Sequence, residues 1–133
     1  MNDAANRLLW VCLAGAFGSG SRYLVGVWAG RSLGTGFPYG TLIVNLAGCF
    51  LIAAIMRVAL TTTLIPPMLR LALTTGFLGG LTTYSSFNYE TLKLLEDGAW
   101  RAALANVGVT LGGCFLAGIL GLVTASRIVV TGP

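Results

Sequence analysis

The chain contains no histidine. That removes the usual general base, proton shuttle and metal ligand together. Charge is scarce too: 9% of the 133 residues are charged, and only four are Asp or Glu. Soluble domains carry about 25%. The three cysteines, Cys12, Cys49 and Cys114, lie far apart inside apolar runs. They form neither a disulfide framework nor a Cys-x-x-Cys pair, and they read as small buried hydrophobes. Without histidine or a carboxylate pair, an enzyme is disfavoured. The net charge of +4 is thinly spread, which fits lipid headgroups at helix ends rather than nucleic acid.

What is present is apolar surface. Hydrophobic residues make up 56% of the chain, and its mean hydropathy is +0.85. A soluble protein of this length has no core large enough to hide that much. The reading is an all-α integral membrane protein, a single domain over residues 1–133. Its four transmembrane helices span about 8–28, 40–60, 68–95 and 99–123, near the ~20 residues a bilayer requires. Gly34, Gly36 and Pro38 separate the first two spans. The stretch from Thr61 to Pro67 separates the next pair, and Glu96-Asp97-Gly98 makes the last turn. The apolar run after Arg7 is not read as a signal peptide, because no polar mature domain follows it.

Basic residues give almost no orientation signal. One side receives Arg7, Arg57, Arg70 and Arg127, and the other receives Arg31, Lys93 and Arg101. A chain without such a signal inserts both ways. Two opposed copies then pair like the inverted repeats of larger transporters. Small-xxx-small spacings mark helix contact faces: Gly76 with Gly80, Gly108 with Gly112, and the Ala14, Gly18, Arg22 series.

Residues 74–90 organise the rest. This stretch carries three glycines and six Thr or Ser hydroxyls inside a span, and it ends on Glu90. Gly79 and Gly80 weaken a helix by about 1 kcal/mol each. A helix broken at membrane depth beside hydroxyls is a candidate ion site, whereas a glycine packing seam is the alternative. Asn45, inside the second span, needs a partner helix or a water-filled path. Asn106, Thr110 and Cys114 follow at four-residue spacing along one stripe of the fourth span. That stripe suits either one wall of a pathway or two hydrogen-bonded helices. Arg22 either snorkels to the interface or presents charge to an anion. Tyr84 and Phe87 share a face, and their ring edges are positive. Neutral donors, ring edges and one arginine suit a small anion in transit. Carbonyls exposed between Gly79 and Thr83 suit a structural cation.

Three stretches are recognisable together. They are Gly18-Ser-Gly-Ser-Arg22-Tyr23, Gly40-Thr41-Leu-Ile-Val-Asn45-Leu-Ala-Gly48, and Thr75-Gly-Phe-Leu-Gly79-Gly80-Leu-Thr82-Thr83-Tyr84-Ser85-Ser-Phe87. With them the chain resembles the Fluc/CrcB family of small fluoride channels over nearly its whole length. The resemblance implies a third helix broken at its centre and an antiparallel, dual-topology homodimer. It implies two pores that passively export fluoride across the bacterial inner membrane. It also implies a structural Na⁺ at the dimer interface, held by the backbone carbonyls of Gly79 and Thr82. The implied fluoride pore residues are Asn45, Tyr84, Phe87, Thr83, Ser85, Asn106, Thr110, Arg22 and Glu90. The partners it implies are fluoride, a second copy and the lipid bilayer. Two positions depart from the family pattern: Tyr84 replaces a phenylalanine, and Cys114 replaces a serine. Asn106 aligns where some members have a pore tyrosine. The alternative reading, a small proton-coupled multidrug exporter, needs a carboxylate in the first span, and Leu8 to Trp28 has none. A non-transporting scaffold explains neither the polar stripe nor the glycines.

Overall fold

In the computed structural model, which describes residues 3–130, every regular element of the described residues is a helix. Helix α1 runs Asp3–Leu33, α2 Tyr39–Thr61 and α6 Trp100–Val130. These three are long and apolar enough to cross a membrane. Between α2 and α6 lies a composite segment. It comprises α3 (Pro67–Leu71), a π-helical stretch (Ala72–Leu78), α4 (Gly79–Leu81) and α5 (Tyr84–Glu96).

Local chemistry sets the ends. Gly34 has φ +85° just after α1, and Gly98 has φ +75° after α5; glycine enters that left-handed region without a Cβ penalty. At Gly98 the turn closes by two bonds, Gly98 N–H to the Leu95 carbonyl at 3.0 Å and Ala99 N–H to the Leu94 carbonyl at 2.8 Å. That pattern satisfies the last carbonyls of α5 and reverses the chain into α6. Pro67 stands at the first position of α3, where its missing N–H costs nothing.

Glycines let the backbones meet. A Cβ at Gly18 would collide with the Phe77 carbonyl, and one at Gly80 with the Gly15 carbonyl. At Gly76 it would lie 2.8 Å from the Ala14 Cβ. Helix α1 therefore lies flat on the π-helical stretch and α4. Helix α2 packs chiefly on α6, with Gly121 against the Phe50 carbonyl. In lipid, where burial gives little drive for helices to associate, such close approach supplies the contact energy. Around it sits a small core of Val44, Leu78 and Leu81.

Two expectations are corrected here. Gly79 and Gly80 do not interrupt the helix: both lie in α4, and the missing side chain of Gly80 serves the contact with α1. The extended residues are Thr82 (φ −83°, ψ 157°) and Thr83 (φ −155°, ψ 120°). Gly108 and Gly112 make no close packing, since a Cβ at either meets nothing within 4 Å.

Gly18→Ala should lower stability by about 1–3 kcal/mol, the usual cost of overpacking. Gly20→Ala, in open space on the same helix, should raise it by about 1 kcal/mol. Thermal unfolding of the two variants in detergent checks this; equal melting temperatures would remove the α1 seam.

Candidate functional site

The interruption at Thr82–Thr83 has an identifiable cause. In a continuing α-helix the Thr83 N–H would donate to the Gly79 carbonyl. Instead it donates to Asn45 Oδ1 at 2.8 Å, and Asn45 Nδ2 donates back to the Thr83 carbonyl at 3.0 Å. One side-chain amide thus satisfies both polar groups of an extended residue. Asn45 and Thr83 are both buried, so those groups have no water to fall back on. Thr83 then caps the next helix: its Oγ1 accepts from the Ser86 N–H at 3.2 Å, the bond expected of a threonine N-cap. Its hydroxyl also donates to Ser86 Oγ at 3.1 Å and lies 3.2 Å from Ser85 Oγ. The neighbouring Thr82 hydroxyl bonds back to the Leu78 carbonyl at 2.9 Å, and its methyl fills the space left by Gly48.

The capped helix α5 then presents the rings. Tyr84 and Phe87 stand 5.5 Å apart, centroid to centroid, tilted by 56°. That is an edge-toward-face arrangement. Tyr84 is 73% exposed and Phe87 6% exposed, so Phe87 is held by the protein and Tyr84 projects from it. Asn45, Gly79, Thr82, Thr83, Tyr84, Phe87 and Thr110 share one cavity of about 400 Å³.

Three further expected residues lie elsewhere. Arg22 faces an adjoining cavity of about 410 Å³ with Thr41, Thr83 and Ser86; its Nη1 donates to the Thr82 carbonyl at 3.4 Å. Glu90 lines a third cavity of about 310 Å³ at the end of the bundle near Gly34 and Asp97. Its Oε1 accepts from Thr41 Oγ1 at 2.8 Å, while its Oε2 is buried without a partner. Asn106 is buried behind the rings: it donates to Thr91 Oγ1 at 2.8 Å and accepts from Thr110 Oγ1 at 3.3 Å. Thr91 in turn donates to the Phe87 carbonyl at 2.7 Å. Asn106 and Thr110 thus brace α6 to α5, while Thr110 and Cys114 also line the central cavity.

The cavities are linked by threonines. Thr74 lines a cavity of about 670 Å³ beside Arg7 and Arg70 as well as the central one. Thr83 lines both the central cavity and that of Arg22, and Thr41 lines those of Arg22 and Glu90. Together they follow the third segment from one end of the bundle to the other. Thr41 and Thr91 were not singled out in the sequence. Thr91 was findable as the residue four after Phe87, on the face that meets the next helix.

The model of the family described as "CrcB-like protein, Camphor Resistance (CrcB)" matches residues 9–122. The chain belongs to this family. A relative from Sorangium cellulosum (strain So ce56), named a fluoride-specific ion channel, is 51% identical over 123 residues, covering 92% of this chain and 97% of its own. Another of the same name from Anaeromyxobacter sp. (strain K) is 56% identical over 111 residues, covering 84% and 88%. A third, from Geobacter metallireducens, is 51% identical over 118 residues, covering 89% and 95%. The matched region contains every cavity-lining residue from Arg22 to Thr110.

Asn45→Ala strands the Thr83 N–H and carbonyl together. It should cost about 1–3 kcal/mol, the penalty for an unsatisfied buried group. Ser85→Ala removes only a peripheral hydroxyl and should stay within about 0.5 kcal/mol. Unfolding in detergent compares them; an Asn45→Ala protein as stable as the parent would show that the amide does not hold the interruption.

Proposed function

We propose that this chain is a fluoride-selective channel of the bacterial inner membrane, working as an antiparallel homodimer with two pores and passing fluoride down its gradient. The observation that carries the reading is the central cavity. It is lined by neutral donors and ring edges, with no ionisable carboxylate, lysine or arginine in its wall. The names of the close relatives supply the anion.

A small anion leaving water must regain hydrogen bonds, since an unpaired charge in a low-dielectric interior is prohibitively costly. Asn45 Nδ2 uses one hydrogen on the Thr83 carbonyl and keeps its second for an anion. The Ser86 hydroxyl, an acceptor from Thr83, keeps its own. Ring edges of Phe87 and Tyr84 add partial positive charge without a full cation that would trap the ion. The Arg22 guanidinium, one cavity away, raises the local anion concentration at the mouth. A second copy is needed on physical grounds: Tyr84 is mostly exposed, so the cavity of one chain lacks an outer wall.

The same geometry supports a structural Na⁺ between copies. Asn45 removes the helical partner of the Gly79 carbonyl, so that oxygen is free to face a cation. The Thr82 carbonyl has a second lone pair beyond the long Arg22 contact. These two carbonyls would hold the ion and join the copies, and the second copy would complete the oxygen set. Arg22 opposes a cation at that carbonyl electrostatically, which makes Na⁺ dependence the deciding measurement.

Purified protein in liposomes should release fluoride electrogenically, with chloride far slower and no need for a proton gradient. Absent efflux, or efflux driven only by protons, would end the channel reading. Phe87→Ile removes a ring edge and should slow fluoride by about tenfold, equivalent to about 1.4 kcal/mol at the barrier, while the dimer stays assembled. Replacing Na⁺ by a bulky organic cation should lower the dimer's melting temperature and restoring it should reverse the loss; indifference would remove the Na⁺ site.

A further inference from the structure

Cys49 and Cys114 stand in the wall of the central cavity but are not among the anion's donors described above. They lie on different helices, α2 and α6, which meet here: a Cβ at Gly118, one turn beyond Cys114, would stand 3.8 Å from the Cys49 carbonyl. Both are free thiols, and both line the central cavity beside Asn45, Thr83, Phe87 and Thr110. Their separation is set by backbone rather than by flexible side chains. Gly121 meets the Phe50 carbonyl and Gly118 the Cys49 carbonyl, so α2 cannot slide on α6 without a clash.

We propose that Cys49 and Cys114 form a two-thiolate binding site for a soft, thiophilic divalent cation of the mercuric type, and that filling it closes the cavity. Thiolates select soft metals. Binding deprotonates both thiols: two S–H protons leave to solvent, two S–metal bonds form, and no oxidation state changes. A divalent cation with two thiolates is neutral, so the adduct buries no net charge in an apolar wall. Zinc does not fit, because it takes four ligands. Among the described residues no group of three or more metal-ligating side chains exists. The metal would occupy the space beside Asn45 and Thr110 where the anion must pass.

The flux readout of this site rests on the channel reading, but metal uptake does not. In a Cys12→Ser background, which removes the exposed third thiol, mercuric chloride should load one ion per chain. That ion should survive a wash with a monothiol, as counted by mass spectrometry of the intact full-length protein in detergent. Adding Cys49→Ser or Cys114→Ser should abolish the retained ion, and the alanine versions should do the same. In liposomes, either serine variant should raise the mercuric concentration for half-block of fluoride efflux by about a hundredfold, the lower range of what a second linked contact adds. Zinc should neither load nor block. Two ions per chain, each stripped by the monothiol, would overturn the site, as would block unchanged by loss of either cysteine. Retention without any fluoride efflux would uphold the site and count against the channel reading alone.

Discussion

The structure depends on one side-chain amide. Asn45 takes the place of a turn of helix, giving the Thr83 backbone both an acceptor and a donor. A bilayer forbids unsatisfied backbone, so an interrupted span survives only where protein supplies the missing partners. From that single substitution the rest follows. The ladder ends at Leu81, the Gly79 carbonyl loses its donor, and Thr83 becomes free to cap α5. The cap fixes the first turn of α5, and that turn carries Tyr84 and Phe87. An amide on one helix therefore sets the aim of rings on another.

Rigid packing surrounds the clamp. Helix α1 presses on the π-helical stretch and α4 through glycines, so the residues leading into the interruption cannot drift. The brace from Thr110 through Asn106 and Thr91 to the Phe87 carbonyl holds the far side of α5. Phe87 is thus held by its backbone as well as by burial. Tyr84 has no such support within one chain and projects from it.

The hydropathy of the sequence made the three long helices legible, because a span of apolar residues has few other solutions. Asn45 was legible for the opposite reason: an amide in hydrocarbon demands a partner, though the sequence did not say which. The glycines misled where they were most conspicuous. Gly79 and Gly80 have the composition of a break but continue the helix, Gly80 as part of the α1 seam, and Gly108 and Gly112 have the spacing of a seam but meet nothing within one chain. Spacing along one helix cannot tell which face meets a neighbour. The same blindness hid the thiol pair, since nothing in the sequence relates Cys49 to Cys114 until α2 and α6 are laid together. Asn106 was placed on the correct stripe, and only the partner Thr91 shows that in this chain it braces the helix behind the rings.

The π-helical stretch Ala72–Leu78 has a consequence for how this chain tolerates change. A π turn arises when an α-helix takes in one residue without rotating what lies on either side. The third segment therefore holds a residue of slack between Arg70 in α3 and the clamp at Thr83. A single deletion between positions 72 and 78 would relax the stretch into ordinary α-helix while leaving both ends in phase. The same deletion one turn later, between Gly79 and Thr83, would rotate the clamp away from Asn45. Length variation along this segment is permitted on one side of Leu78 and forbidden on the other.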